Sequence, residues 1–193
     1  MSGKLPLVIE ELLRYRESPW KFTKAFKELK HNERLCPAVE RQTNRILDCF
    51  LKFHSIAYDI QGINDRGTDV VLRYYVRSES GDVNNRFTAF QIKSFDDLES
   101  KDYLKTLKAQ FFEAQKEYDD SLDQYYILIC TDKSAHNNKI RQIKKAFDSV
   151  KDVTVIDPIY MATFLRLNPI RINSVVTTLL KEDDIIYERA GSL

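Results

Sequence analysis

Apolar and polar positions divide the first half of the chain into helices followed by strands. Apolar residues recur at helical spacing over residues 5–16 and 20–30, and Pro37 begins a longer helix, as proline does in a first turn. Segments rich in β-branched and aromatic residues then predict strands at residues 55–61, 68–76 and 87–94. The polar stretch between the last two strands favours a hairpin.

Helices and strands alternate in the second half of the chain. The apolar pattern predicts a helix at 99–118, a buried strand at 125–131, a helix at 138–150, a strand at 153–157 and helices at 159–167 and 172–180. We expect an acidic turn and a loose end after the last helix. A hairpin followed by strand–helix–strand crossovers predicts an α/β fold, a mixed sheet with helices on both faces.

Composition indicates a globular protein and leaves its partners open. The chain has 193 residues, of which 43% are hydrophobic and 31% are charged. Lysine and arginine number 30 and acidic residues 29, so the formal net charge is +1. This balance neither demands nor excludes a nucleic-acid partner, because a local basic groove is compatible with a neutral total.

The cysteines and the N-terminal segment favour a reducing compartment. Cys36, Cys49 and Cys130 are an odd number without CxxC spacing, and the last two lie in apolar runs typical of buried thiols. Glu10 and Glu11 interrupt the first apolar run, so it does not resemble a signal peptide. No apolar stretch approaches the roughly 20 residues that span a bilayer. We therefore expect a cytoplasmic protein without a membrane partner.

Two polar residues stand out on the predicted strand 87–94. Side chains alternate along a strand, so Gln91 and Lys93 share a face with Ala89, while Phe90 and Ile92 point to the other face. A glutamine and a lysine are unusual on such an apolar strand. An acidic residue at the start of the preceding strand would explain them, because the group could then hold a metal ion.

These residues carry a resemblance to a known nuclease class. The segments GTDVVL (67–72) and FQIKSF (90–95), with Glu40 on the preceding helix, resemble the PD-(D/E)xK restriction-endonuclease-like superfamily. Glutamine in place of the usual acid resembles its Mrr-type branch. The resemblance implies a restriction-endonuclease-like core.

The matching order of elements spans about residues 37–160. We therefore divide the chain into an N-terminal helical extension at 1–36, a nuclease-like core at 37–167 and a C-terminal helical tail at 168–193.

The resemblance implies a metal-dependent nuclease that hydrolyses phosphodiester bonds of DNA with Mg²⁺ or Mn²⁺. Asp69 would be the metal-bridging carboxylate, and the side-chain carbonyl of Gln91 and the backbone carbonyl of Ile92 would be further ligands. Glu40 would sit beside the metal, directly or through a water, and Lys93 would face the attacked phosphate. Oxygen ligands suit Mg²⁺, and cations offset charge on the phosphate. Beside these anions we expect Lys93 to be stabilised as a cation.

The residues leave two alternatives open at this site. Asp65, in the same turn, could be the ligand instead of Asp69, although Asp69 leads directly into the apolar strand. Without a metal, Asp69 would cap a turn after Gly67, and Lys93 would extend from a strand end towards water.

Basic residues of the predicted helix 138–150 are candidates for contacts with a nucleic-acid backbone, together with a serine after the predicted metal site. They are Lys139, Arg141, Lys144, Lys145 and Ser94. For the basic set taken alone, a solvated helix face is the simpler explanation. DNA is the expected partner, and RNA is the alternative.

Other chemistry and other functions are less well supported by the sequence. His31, His54 and His136 form no HxH or HExxH motif, which argues against zinc. A non-catalytic module that binds a nucleic acid or a protein is the rival function, since fold does not determine function. The chain could also belong to a defence or mobile-element system. A homodimer would suit double-strand cleavage, because two antiparallel strands need two sites related by a two-fold axis.

Overall fold

A five-stranded sheet forms the centre of the part of the chain that the structure describes. The computed structural model describes residues 4–16, 20–54, 56–62, 67–77 and 80–190. The strands are β1 Tyr58–Gln61, β2 Val70–Arg77, β3 Val83–Lys93, β4 Leu122–Ile129 and β5 Val153–Ile156. They lie side by side in chain order; β1, β2 and β3 pair antiparallel, and β3, β4 and β5 pair parallel.

Helices precede the sheet and connect its parallel strands. The α-helices are α1 Lys4–Arg14, α2 Cys36–Phe50, α3 Phe95–Glu99, α4 Tyr103–Tyr118, α5 Lys133–Phe147, α6 Pro158–Phe164 and α7 Pro169–Ala190. A 3₁₀-helix at Trp20–Glu28 and one π-helical turn at His31–Leu35 lie before α2, and a short 3₁₀ turn at Asp119–Ser121 lies before β4. None of the helices in the described part of the chain is both long and apolar enough to cross a membrane.

The two faces of the sheet carry separate hydrophobic cores. Phe90 and Ile92 pack on one face with buried residues of α1, α2, α6 and α7. Ala89 faces the other side, where α4 and α5 supply the core. The predicted alternation along β3 is therefore correct, and the mixed α/β fold with helices on both faces is confirmed.

Several boundaries differ from the sequence prediction for identifiable reasons. The helix predicted at 20–30 is a 3₁₀-helix, and the long helix begins at Cys36, one residue before Pro37. The helix predicted at 99–118 is preceded by the separate α3, because the backbone of Ser100 is extended with ψ 143°. The acidic turn expected near 181–184 is helical instead, because α7 continues to Ala190.

Both ends of the described chain share one core with the sheet. In α1, Leu5, Ile9 and Leu12 are fully or almost fully buried, and in α7 Ile172 and Val176 are fully buried; all five belong to the same cluster as Phe90. Separation into an extension, a nuclease-like core and a tail stays a prediction.

Candidate metal centre

Asp69 lies just before β2 and is held against the last residues of β3. It precedes the first residue of β2, and the strand register places it opposite Gln91. Its backbone N–H donates to the Phe90 carbonyl at 3.0 Å. Its Oδ2 accepts the Ile92 backbone N–H and the Gln91 side-chain N–H, both at 2.6 Å. Pairing of the two strands therefore fixes this carboxylate against the main chain of β3.

The amide of Gln91 links the predicted ligands. Its side chain is 1% exposed, and its Nε2 lies 2.6 Å from Asp69 Oδ2 and 3.5 Å from the Ile92 carbonyl oxygen. Its Oε1 lies 3.4 Å from the Tyr125 hydroxyl oxygen. The structure thus places the Gln91 amide next to both the Asp69 carboxylate and the Ile92 carbonyl.

Lys93 lies beside this point but is buried. It is 5% exposed, and its Nζ donates to Gln110 Oε1 of α4 at 2.7 Å. Burial lowers the pKa of Lys93 below its ordinary value, although the nearby charges of Asp97 and Asp69 act in the opposite direction. The neighbouring acids therefore favour the charged form of Lys93, as expected from the sequence, but desolvation of the buried amine is the larger effect.

Gly67 allows the segment before Asp69 to press against α4. Its φ is +76°, and a Cβ at this position would lie 2.1 Å from the Gln110 carbonyl oxygen. Its carbonyl accepts the Tyr125 hydroxyl at 2.9 Å. The close approach of Gly67 to α4 brings Gln110 next to the strand that carries Lys93.

The Glu40 carboxylate lies beside Gly62. Its Oε2 would lie 3.3 Å from a Cβ on Gly62, just after β1. Within the described residues, the Glu40 carboxylate makes no hydrogen bond to Gln91 or Lys93, so its role beside a metal stays a prediction. Asp65, the alternative ligand, lies outside the described residues.

A histidine that the sequence did not select completes the polar cluster. His31 Nε2 lies 3.1 Å from Asp69 Oδ1, and His31 Nδ1 lies 2.8 Å from Asp97 Oδ2. Burial lowers the pKa of His31, but hydrogen bonds to Asp69 and Asp97 outweigh it and raise this pKa to about 12. His31 thus lies hydrogen-bonded between two carboxylates, with Nε2 towards Asp69 and Nδ1 towards Asp97.

Asp97 and Ser94 hold His31 from the far side. Asp97 Oδ2 accepts the Ser94 backbone N–H at 2.8 Å and the Ser94 hydroxyl at 2.6 Å, in a capping box at the start of α3. Burial opposes ionisation of Asp97, yet hydrogen bonds from His31 and Ser94 hold its pKa far below the ordinary value. The Ser94 hydroxyl, a predicted phosphate contact, is thus already bonded within the protein.

The basic residues of α5 fall into two groups. Lys144 pairs with Asp157 at 2.9 Å, and Lys139 donates to the Leu98 carbonyl. Arg141 and Lys145 are exposed. Arg141 and Lys145, which these contacts do not involve, therefore remain the better candidates for contacts with a nucleic-acid backbone.

Comparison with known proteins gives one similarity of fold. No protein-family model and no curated protein matches the chain. Among solved structures, the chain is similar to the MspJI restriction endonuclease, determined in complex with a 27-mer oligonucleotide, with 13% sequence identity and a TM-score of 0.37. The match covers 75% of this chain and 32% of that one, so the chain spans about a third of that protein's length. A similarity of this size carries no argument about function.

Proposed function

We propose that this protein is a metal-dependent nuclease that hydrolyses phosphodiester bonds of DNA, as the Mrr-type resemblance implies. One observation carries the proposal: Asp69 Oδ2, the Gln91 amide and the Ile92 carbonyl meet beside Lys93. A carboxylate, an amide and a main-chain carbonyl offer the oxygen ligands that Mg²⁺ or Mn²⁺ prefers.

The donor set fits such an ion after one local change. A half-turn of the Gln91 amide exchanges its nitrogen and oxygen, which directs Oε1 towards Asp69 and the Ile92 carbonyl. The Nε2 group would then face the Tyr125 hydroxyl, which can accept because its own proton goes to the Gly67 carbonyl. The exchange thus keeps a hydrogen-bond partner for the buried amide.

The side chains around the ligands have separate tasks. Asp69 is held by the main chain of β3, and Gln110 positions the Lys93 amine. A divalent cation bound here would lower the pKa of a bound water and offset charge on the phosphate. An incoming phosphate would also raise the pKa of Lys93, because its charge offsets the desolvation that disfavours the cation.

Cleavage by purified full-length chain tests this function. Plasmid, linear duplex, single-stranded DNA and RNA are incubated with Mg²⁺, Mn²⁺ or a chelator. We expect metal-dependent cleavage of DNA, reduced by about 10²–10³-fold in Asp69→Asn and in Lys93→Met, a range typical for loss of one group that stabilises a transition state.

Exposed residues of the same types provide matched controls. Asp96→Asn and Lys151→Met alter side chains that are 65% and 92% exposed, and both should cleave like the wild type. No cleavage with either metal, or equal cleavage by Asp69→Asn, would show that the proposal is wrong. Cleavage of RNA alone would retain the site and change the substrate.

A specific feature of the site favours a second candidate, a non-catalytic module that binds nucleic acid or protein. Asp69 already interacts with Gln91, Ile92 and His31, and the neutral Gln91 adds no charge for a metal. Salt-sensitive DNA binding with no metal-dependent cleavage would support this candidate.

Solution mass measurement of the free and DNA-bound protein tests the homodimer that double-strand cleavage would need.

A further inference from the structure

Three residues with different ligand chemistry meet next to the predicted magnesium ligands. The imidazole of His31, the thiol of Cys36 and the carboxylate of Asp69 each offer one ligand atom, and these atoms all lie within 4.8 Å of one another. His31 Nε2 and Asp69 Oδ1 are 3.1 Å apart. In a tetrahedral zinc site, pairs of ligand atoms are roughly 3.4–3.6 Å apart. Small side-chain adjustments would therefore bring all three to one ion.

A π-helical turn produces this arrangement. The backbone N–H of Cys36 donates to the His31 carbonyl, five residues earlier, in the turn His31–Leu35. In an α-helix, residues five apart point about 140° away from each other, whereas a π turn places them on the same side. The turn thus stacks His31 over Cys36 at the start of α2, facing Asp69.

Asp97 orients the imidazole as a metal-binding histidine requires. It holds His31 Nδ1 at 2.8 Å, which leaves Nε2 directed at Asp69. Asp97 is itself fixed by the backbone N–H and hydroxyl of Ser94. A carboxylate behind a ligating histidine selects the tautomer and the ring orientation in known metal sites.

We propose that His31, Cys36 and Asp69 bind a thiophilic divalent cation, with Zn²⁺ as the ion that fits best. Thiolate and imidazole ligands favour Zn²⁺ over Mg²⁺, which takes oxygen ligands. Cys36 is a free cysteine and 2% exposed, so its sulfur is shielded from bulk solvent. Three protein ligands leave one coordination position for water or a phosphate oxygen, as in catalytic zinc sites.

This site does not depend on the proposed nuclease function. The two oxygens of Asp69 have different neighbours: Oδ1 faces His31, and Oδ2 faces Gln91 and the Ile92 N–H. The magnesium ligands and the zinc ligands therefore use different sides of one carboxylate.

Metal binding to the reduced, full-length protein without nucleic acid tests the proposal. Co²⁺ serves as a spectroscopic probe, because a thiolate ligand gives a charge-transfer band in the near ultraviolet, and Zn²⁺ affinity is measured by competition with a chromophoric chelator. We expect the cobalt band in the wild type and its loss in Cys36→Ser. Zn²⁺ should bind more than about 100-fold more weakly in His31→Gln and Cys36→Ser, and about 10–100-fold more weakly in Asp97→Asn.

Cys49→Ser is the matched control, since Cys49 lies on the same helix and is also buried at 7% exposure. It should keep the band and the affinity, and circular dichroism checks that each variant is folded. If Cys36→Ser misfolds, the Zn²⁺ affinity of His31→Gln is the deciding measurement.

The proposal is overturned if the cobalt band persists in Cys36→Ser, or if His31→Gln binds Zn²⁺ as tightly as the wild type. A cobalt–thiolate band without DNA cleavage would refute only the nuclease, and cleavage without the band only the zinc site.

Discussion

Gly67 is a residue at which backbone geometry determines the site. Alanine there would have to adopt a φ of +76° and would place its Cβ 2.1 Å from the Gln110 carbonyl oxygen. We expect Gly67→Ala to lower the free energy of unfolding by about 2–4 kcal/mol. Of this, about 1 kcal/mol comes from the positive φ, and about 1–3 kcal/mol from displacement of the neighbouring backbone. Chemical denaturation measures the change.

The variant Gly81→Ala separates the cost of a positive φ from the cost of displacing neighbouring backbone. Its φ is +89°, but a Cβ there would meet nothing within 4 Å. Gly81→Ala should therefore cost only the conformational part, about 1 kcal/mol. Equal losses in the two variants would mean that contact between Gly67 and α4 does not matter for stability.

Asp157 makes part of the stability dependent on pH. Burial raises its pKa, but hydrogen bonds from Lys144 and from the Ile159 backbone N–H, with the charge of Lys133, give a net shift below the ordinary value of 3.8. A carboxylate with a depressed folded-state pKa contributes stability above its unfolded pKa, and this contribution is lost as pH falls through the folded-state pKa. We expect the free energy of unfolding to decline below about pH 4, and less steeply in Asp157→Asn.

Denaturation midpoints between pH 2 and pH 7 test this dependence. Asp157→Asn should also lose up to about 1 kcal/mol at pH 7, because asparagine keeps the N-cap acceptor for the Ile159 N–H but loses the ion pairs with Lys144 and Lys133. Asp148→Asn, at an exposed residue just after α5, is the control. If Asp157→Asn and the wild type decline in parallel, the ion pairs of Asp157 contribute nothing to the pH dependence.

At the scale of one element, we expect the basic residues of α5 to have two roles: some contact nucleic acid, and others make contacts within the protein. Arg141 and Lys145 are exposed, whereas Lys144 is paired with Asp157 and Lys139 is bonded to the Leu98 carbonyl. If α5 follows a DNA backbone, Arg141→Gln and Lys145→Gln should each reduce the salt dependence of binding by about one phosphate contact.

The measurement is DNA affinity at several salt concentrations for each single variant. Lys139→Gln and Lys144→Gln should change the slope less, and Lys151→Gln, at a side chain that is 92% exposed and outside the helix, should not change it. Equal slopes for all variants and the wild type would show that α5 does not contact DNA.

Elements could be predicted where hydrophobic periodicity alone decides the structure. Apolar alternation around Phe90 and Ile92 fixed the faces of β3, and Pro37 indicated the start of α2 within one residue. The π turn before α2 could not be predicted in this way, because its i→i+5 hydrogen bonds leave no distinct hydrophobic period. Propensity also does not distinguish the 3₁₀-helix at Trp20–Glu28 from an α-helix.

At the scale of the whole molecule, the site residues fall into two groups. Some meet through pairing of neighbouring strands, and others meet only through tertiary packing of segments that are distant in sequence. Asp69 and Gln91 meet because adjacent strands pair in register, which sequence pattern can suggest. His31 reaches Asp69 only after the segment before α2 packs against the end of β3, and no local signal encodes that contact. Glu40, predicted from the resemblance, points to Gly62 for the same reason: tertiary packing determines its direction.

Substitutions in the N-terminal helix α1 test whether the molecule unfolds as one unit. Leu12 on α1 is 0% exposed in the core shared with β3 and β4, whereas Leu7 on the same helix is 62% exposed. We expect Leu12→Ala to cost about 2–5 kcal/mol and Leu7→Ala less than about 0.5 kcal/mol. Native-state hydrogen exchange of the β4 amides reads the effect at the centre of the sheet. If residues 1–36 fold with the sheet, Leu12→Ala lowers the protection of β4 by the full loss of stability. Unchanged protection of β4 would instead show that the N-terminal segment unfolds separately.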